Sequence, residues 1–158
     1  MLPFKTILFA TDFSPASKVA FEVVAALARD YKARVIAVHV IEPVKMGFSE
    51  FGAYVGPEED KGEAMELLRA IKAPSPMVTI EYRLLEGEPA TVIAETAAET
   101  NADLVVMGTH GRTGFTRLVM GSVAEEVLRR APCPVLTIRG TVPVRAEEPA
   151  NAEEPVAI

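Results

Sequence analysis

The sequence predicts an α/β fold, a single open parallel sheet with helices on both faces. Two observations carry this. Short apolar segments alternate with stretches of helical periodicity along residues 5–139, as βαβ crossovers require. One of those segments, Leu104–Met107 (LVVM), is apolar at every residue, as a strand covered on both faces must be. The chain has 158 residues, 49% of them apolar, which suits one domain with its own core.

The first strand is Lys5–Ala10 (KTILFA), closed by Thr11-Asp12. Ser14 then caps a helix starting at Pro15, whose ring presets φ where a missing N–H costs nothing. Val19, Val23, Val24, Leu27 and Tyr31 keep helical spacing, with Lys18, Glu22, Arg29 and Asp30 mostly opposite. Arg34–Val40 (RVIAVHV) is the second strand. Residues 43–57 hold three glycines, two prolines and three aromatics, and read as a loop. Its Phe48, Phe51 and Tyr54 either cover a pocket or partner face or lie in solvent.

Residues 58–72 form a polar helix carrying Met65, Leu67, Leu68 and Ile71, ended by Pro74 and Pro76. Val78–Leu85 (VTIEYRLL) alternates like a strand. Gly87-Glu88-Pro89 opens a helix over 89–100 with Ala90, Ile93, Ala94 and Ala97 on one face. Leu104–Met107 follows, then a long connection, a helix over Ser122–Arg130 and a last strand, Val135–Arg139. Residues 140–158 repeat Ala, Glu, Pro and Val without periodicity. They predict a disordered acidic tail beyond a domain of residues 1–139.

Net charge is −6. An acidic chain is a poor candidate for binding nucleic acid through a broad basic surface. The longest strictly apolar run, Val23–Ala28, falls far short of the ~20 residues that span a bilayer. Asp12 interrupts the apolar start too early for a signal peptide. These features read as a cytoplasmic protein with no membrane partner. The one cysteine, Cys133, builds neither a disulfide framework nor a Cys-rich zinc site, and reads as a small apolar filler.

The chemistry lies in Gly108 to Ser122 (GTHGRTGFTRLVMGS). Gly108 follows a strand directly and permits a tight turn or a close backbone approach. Gly111 adds a second permissive position, and successive amides in such turns can form an anion nest. Gly121-Ser122 stands at a helix N-terminus, where open amides and the helix dipole favour phosphate. Arg112 and Arg117 add positive charge. Plainer roles exist for each residue: Ser122-x-x-Glu125 is a capping box, and each glycine alone suits a turn. The ensemble, G-x2-G-x9-G-[ST] between a strand and a helix, is rarer than its parts.

That spacing is similar to the nucleotide-binding signature of the universal stress protein family, in its ATP-binding branch. The block GTHGRTGFTRLVMGSVAEEVLRRAPCPVLTIR resembles the family's C-terminal block, and KTILFATDFS its first strand and turn. The resemblance covers residues 3–139. It implies a Rossmann-like adenine nucleotide-binding fold, a five-stranded parallel sheet in order 3-2-1-4-5 with four helices, and a homodimer through Val135–Ile138. It implies that Ala10, Thr11 and Asp12 flank the adenosine, with Asp12 as an acceptor, and that Val40 lines the adenine pocket. Met107 and Gly108 would lie under ribose and phosphates. Gly111, Gly121, Ser122 and Val123 would hold phosphates, with His110 and Arg112 beside them. The implied cofactor is ATP, with or without Mg²⁺. Ala10 departs from the proline of some ATP-binding relatives, and the glycine-rich segment 43–72 departs from the usual lid.

The implied function is a nucleotide-responsive regulatory homodimer in the stress response. Two alternatives compete with it: a scaffold of the same fold without nucleotide, and a slow ATPase or adenylyl-transferring enzyme. Fast phosphoryl transfer needs a phosphate lysine, a Mg²⁺ carboxylate and a positioned nucleophile. The loop has neither lysine nor carboxylate, and no GxxxxGK[ST] occurs.

Overall fold

A computed structural model describes residues 3–109 and 120–140. In chain order the elements are β1 (Thr6–Ala10), α1 (Pro15–Tyr31), β2 (Arg34–Ile41), β3 (Met46–Ser49), β4 (Gly52–Val55), α2 (Lys61–Ala70), β5 (Ile80–Glu86), α3 (Pro89–Glu99), β6 (Leu104–Gly108), α4 (Ser122–Arg130) and β7 (Val135–Ile138). The tail expected beyond the domain, residues 141–158, lies outside the described residues.

The main sheet has five strands in the order β5-β2-β1-β6-β7, every pair parallel. This is the expected 3-2-1-4-5 once the hairpin strands β3 and β4 are set aside. Register is tight: Leu8 stands beside Ile36 on one side and Val105 on the other. Alternate residues of these strands build two cores. Ile7, Phe9, Val35, Ala37, Leu104 and Val106 face α1 and α2. Leu8, Ala10, Ile36, Val38, Val40, Val105 and Met107 face α3 and α4. Each fully buried Leu, Ile, Val or Phe contributes roughly 1.5–3 kcal/mol, so the central strands hold most of the stability.

The helix starts follow their signals. Ser14 caps α1 by accepting the Ser17 N–H, with Pro15 in the first turn. Asp60 caps α2, accepting the Glu63 N–H at 2.8 Å. The buried face of α1 differs from the expected one. Ala16, Ser17, Ala20, Val24 and Ala28 are buried, while Val19 and Val23 are only half-buried. Small residues face the sheet, so the helix lies close to it. On α3 the expected Ala90, Ile93, Ala94 and Ala97 are all buried. Helix α2 is shorter than 58–72, and its Leu67 is exposed. Cys133 packs half-buried against the α3/α4 core. Burial pushes its thiol pKa up, as suits a filler.

The segment read as a loop forms an antiparallel hairpin instead. Phe48 pairs with Ala53 and Gly47 with Tyr54. The alternation of Met46-Gly47-Phe48 and Ala53-Tyr54-Val55 outweighs the glycines, and Gly52 supplies φ +116 at the turn. Ser49 Oγ accepts the Phe51 N–H and donates to the Gly52 carbonyl, both at 3.2 Å. Every hairpin residue is exposed.

The two halves predict opposite responses to truncation. Phe9→Ala should cost about 3–5 kcal/mol, whereas Phe51→Ser should stay within about 0.5 kcal/mol. Urea unfolding of both variants checks this.

Candidate functional site

Because β2 and β6 flank β1 and the chain leaves β1 in opposite directions, the sheet order reverses there. The C-terminal ends of β1 and β6 therefore open onto a crevice. Ala10, Thr11, Asp12, Val40, Met107, Gly108, Gly121, Ser122 and Val123, all candidates from the sequence, line it together. His110, Gly111 and Arg112 lie outside the described residues, as does Arg117. Ala10, Val40 and Met107 are buried on the α3/α4 face and form an apolar floor.

The turn after β1 is held by its own side chains. Asp12 Oδ1 accepts the Ser14 N–H at 3.0 Å and the Ser17 hydroxyl at 2.7 Å. Thr11 Oγ1 accepts the Phe13 N–H at 3.0 Å. Asp12, expected only as a ligand acceptor, thus also fastens the start of α1. Phe13 takes φ 63, a left-handed conformation that is uncommon for a bulky residue.

Gly108 has a reason of its own to be glycine. A Cβ there would lie 3.0 Å from Ala16 Cβ and 3.2 Å from the Ala16 backbone carbon. The close approach foreseen at this position is therefore to α1.

The start of α4 settles one alternative and corrects one expectation. Glu125 N–H donates to the Gly121 carbonyl at 3.0 Å, so the helix begins at Ser122 as expected and the alternative Ser122 capping box does not form. Gly121 is the cap residue, and no side chain caps the helix. The Gly121 N–H itself donates to the Thr109 carbonyl at 2.7 Å, which removes it from the expected phosphate donors. Ser122, Val123 and Ala124 occupy the first turn, where N–H groups lack intrahelical partners, and all three line the crevice. The acids near the start are drawn down the helix: Glu125, in the first turn, and Glu126 pair with Arg129 and Arg130 at 2.6 Å each.

The neighbouring α3 is the contrast. Glu88 caps it, accepting the Ala90 and Thr91 N–H groups and the Thr91 hydroxyl. Arg130 supports the same hydroxyl at 2.7 Å. Hydrogen bonds from Thr91, first from its hydroxyl and then from its N–H, hold the Glu88 carboxyl below the usual glutamate range. A carboxylate of the chain thus fills the N-terminus of α3.

The far wall comes from the segment ahead of α2. Tyr54 and residues 56–60 line the crevice, while Phe48 and Phe51 are 95% and 100% exposed and cover nothing. Charge around the described lining is uneven: Asp12, Glu42, Glu58, Glu59, Asp60 and Glu63 against Lys45. Among the described residues, no three of His, Cys, Asp or Glu are grouped to hold a metal ion.

Sequence reasoning missed His39. It is 3% exposed and bonds at both ring nitrogens, to the Thr11 carbonyl at 2.7 Å and to Glu59 Oε1 at 2.9 Å. Its signal was present: one polar residue in an otherwise apolar buried strand needs a partner.

A model of the universal stress protein family matches residues 3–139. The chain belongs to that family. A universal stress protein of Methanocaldococcus jannaschii is 38% identical over 140 residues, covering 86% of this chain and 82% of the relative. One from Thermus aquaticus is 38% identical over 143 residues, covering 86% and 99%. A universal stress protein from Archaeoglobus fulgidus, solved in complex with dAMP, is 26% identical with a TM-score of 0.62, covering 87% and 99%. Among the described residues of this universal stress protein, no helix is long and apolar enough to cross a membrane.

Two predictions follow from the packing of the site. Gly108→Ala should destabilise the protein by about 1–3 kcal/mol, and adding Ala16→Gly should recover part of that loss in a double-mutant cycle. The Glu88 cap carries the opposite sign of a protonation effect. Its stabilisation is complete above the unfolded glutamate pKa and disappears as pH falls through the lowered folded value. Solvent exposure keeps it to about 1 kcal/mol. Glu88→Ala should therefore lower Tm at pH 7, and the difference from the parent should shrink as the pH is lowered.

Proposed function

We infer that this universal stress protein binds an adenine nucleotide in the crevice between β1, β6 and α4, with ATP as the cofactor of a regulatory homodimer. The observation that carries the reading is the start of α4. Three of the four described helices are capped by their own side chains, and α4, whose first turn lines the crevice, is not. A phosphate there would accept the Ser122, Val123 and Ala124 amides and meet the positive end of the helix dipole. The dAMP bound by the Archaeoglobus relative supports an adenine nucleotide as the ligand class.

The rest of the lining follows from that placement. Ala10, Val40 and Met107 offer an apolar surface for the base. Asp12, whose Oδ1 already accepts from Ser14 and Ser17, would stand beside the ribose or base as an acceptor. The acidic far wall opposes a bare triphosphate, so Mg²⁺ would arrive on the phosphates and offset their charge. The reading gives the protein a stress-responsive role in the cytoplasm. Dimerisation through β7 is supported by its place at the sheet edge, with all four residues partly exposed.

The test removes one amide without disturbing the helix. Ser122→Pro puts proline in the first helical turn, where it is tolerated. Gly121 before it already has φ −62 and ψ 152, the extended conformation proline demands. AMP and ATP affinity measured by calorimetry should fall about tenfold, the worth of one hydrogen bond to a charged group. Ser122→Ala should change it less, and Mg²⁺ should strengthen ATP more than AMP. No binding of either nucleotide at millimolar concentration refutes the reading.

A further inference from the structure

His39 is the buried polar group that this reading leaves without a role. It lies on the α1/α2 face of β2, opposite the crevice-floor residue Val40. A carbonyl oxygen can only accept, so the contact with Thr11 places a hydrogen on Nδ1. The Nε2 contact with Glu59 Oε1 then needs a second proton between the two atoms. The ring also lies against Phe13, with centroids 4.4 Å apart. One imidazole therefore touches the turn after β1 twice, at the Thr11 carbonyl and at the left-handed Phe13, and touches the segment ahead of α2 once.

Those two segments are facing walls of the crevice. Thr11, Asp12 and Phe13 form one, and residues 56–60 belong to the other. The main sheet ties the first wall only at Thr11, whose N–H donates to the Val38 carbonyl at 2.9 Å, and the second is tied at Gly56, whose N–H donates to the Lys45 carbonyl of the hairpin at 2.9 Å. Resting on the adenine-nucleotide reading, we propose that His39 is a positioning residue, clamping the Glu59 wall to the β1 turn so that nucleotide affinity depends on the His39–Glu59 hydrogen bond. The effect runs through the walls. His39 sets the Thr11 peptide from behind, and Glu59 fixes the distance at which residues 56–60 face it.

Substitutions at Glu59 test this with the buried histidine intact. In the full-length protein, Glu59→Ala should weaken Mg-ATP and AMP binding about tenfold. Glu59→Gln can donate its amide to a neutral Nε2 and should restore affinity to within about threefold of the parent. His39→Asn keeps a donor toward Thr11 without reaching Glu59, and should match Glu59→Ala if it folds. Hydrogen exchange on nucleotide-free protein reads the clamp separately. Amides of residues 58–63 should exchange faster in Glu59→Ala and not in Glu59→Gln. Unchanged affinity in Glu59→Ala overturns the positioning role, and unchanged exchange overturns the clamp. Equal losses in the Ala and Gln variants overturn it, because glutamine keeps the hydrogen bond that the clamp requires. If the parent binds neither nucleotide, the adenine reading fails while the exchange comparison still decides the clamp.

Discussion

The site depends on a constraint of parallel pairing. Every strand of the main sheet points the same way, so each connection must cross back over a face. From β1 the chain winds outward through β2 and β5, then returns to fill β6 and β7 on the other side. Among the described residues, no crossover closes the gap between β1 and β6 at their C-terminal ends. The crevice is what such a sheet leaves open, and every element that lines it is placed by that reversal. The two cores above and below hold the strand ends rigid while the turns beyond them carry the chemistry.

Around the crevice, the described helix N-termini differ in whether the chain itself supplies their hydrogen-bond acceptors. An open helix N-terminus attracts negative charge whether it comes from the protein or from a ligand. At α3 the protein supplies its own, through Glu88 and the hydroxyl of Thr91. At α1, Ser14 and Asp12 serve the same need. At α4 the cap residue is glycine, which has no side chain to offer. The Gly121 amide turns back to Thr109, and the helix's acids lean toward its C-terminal arginines. The first turn of α4 and the apolar floor of Ala10, Val40 and Met107 thus line a single space.

Much of this was legible in the residues. The apolar run of Leu104–Met107 and the Ser14-Pro15 start located β6 and α1, because each follows from local sterics and burial on both faces. The spaced glycines pointed to the start of α4, and Gly108 and Gly121 do line one crevice with Ser122 and Val123. The hairpin over 46–55 was not legible, because glycine-rich composition outweighed a short alternation in the reading. The helix over Ser122–Arg130 was legible as α4, while the alternative of a Ser122 capping box stayed open, since a Ser-x-x-Glu pattern cannot report which carbonyl accepts the first helical bond. Gly108 was read in terms of what it permits, while its reason is Ala16, a residue some ninety positions earlier that only the fold brings near. His39 needed partners from two other segments before its role could be seen.

The most direct test of the central claim is an amide-resolved NMR titration with AMP. The account predicts large shifts at the Ser122, Val123 and Ala124 N–H signals, with Ala90 and Thr91 at the self-capped α3 unmoved. Saturable binding that shifts the α3 amides and leaves those of α4 in place would contradict it.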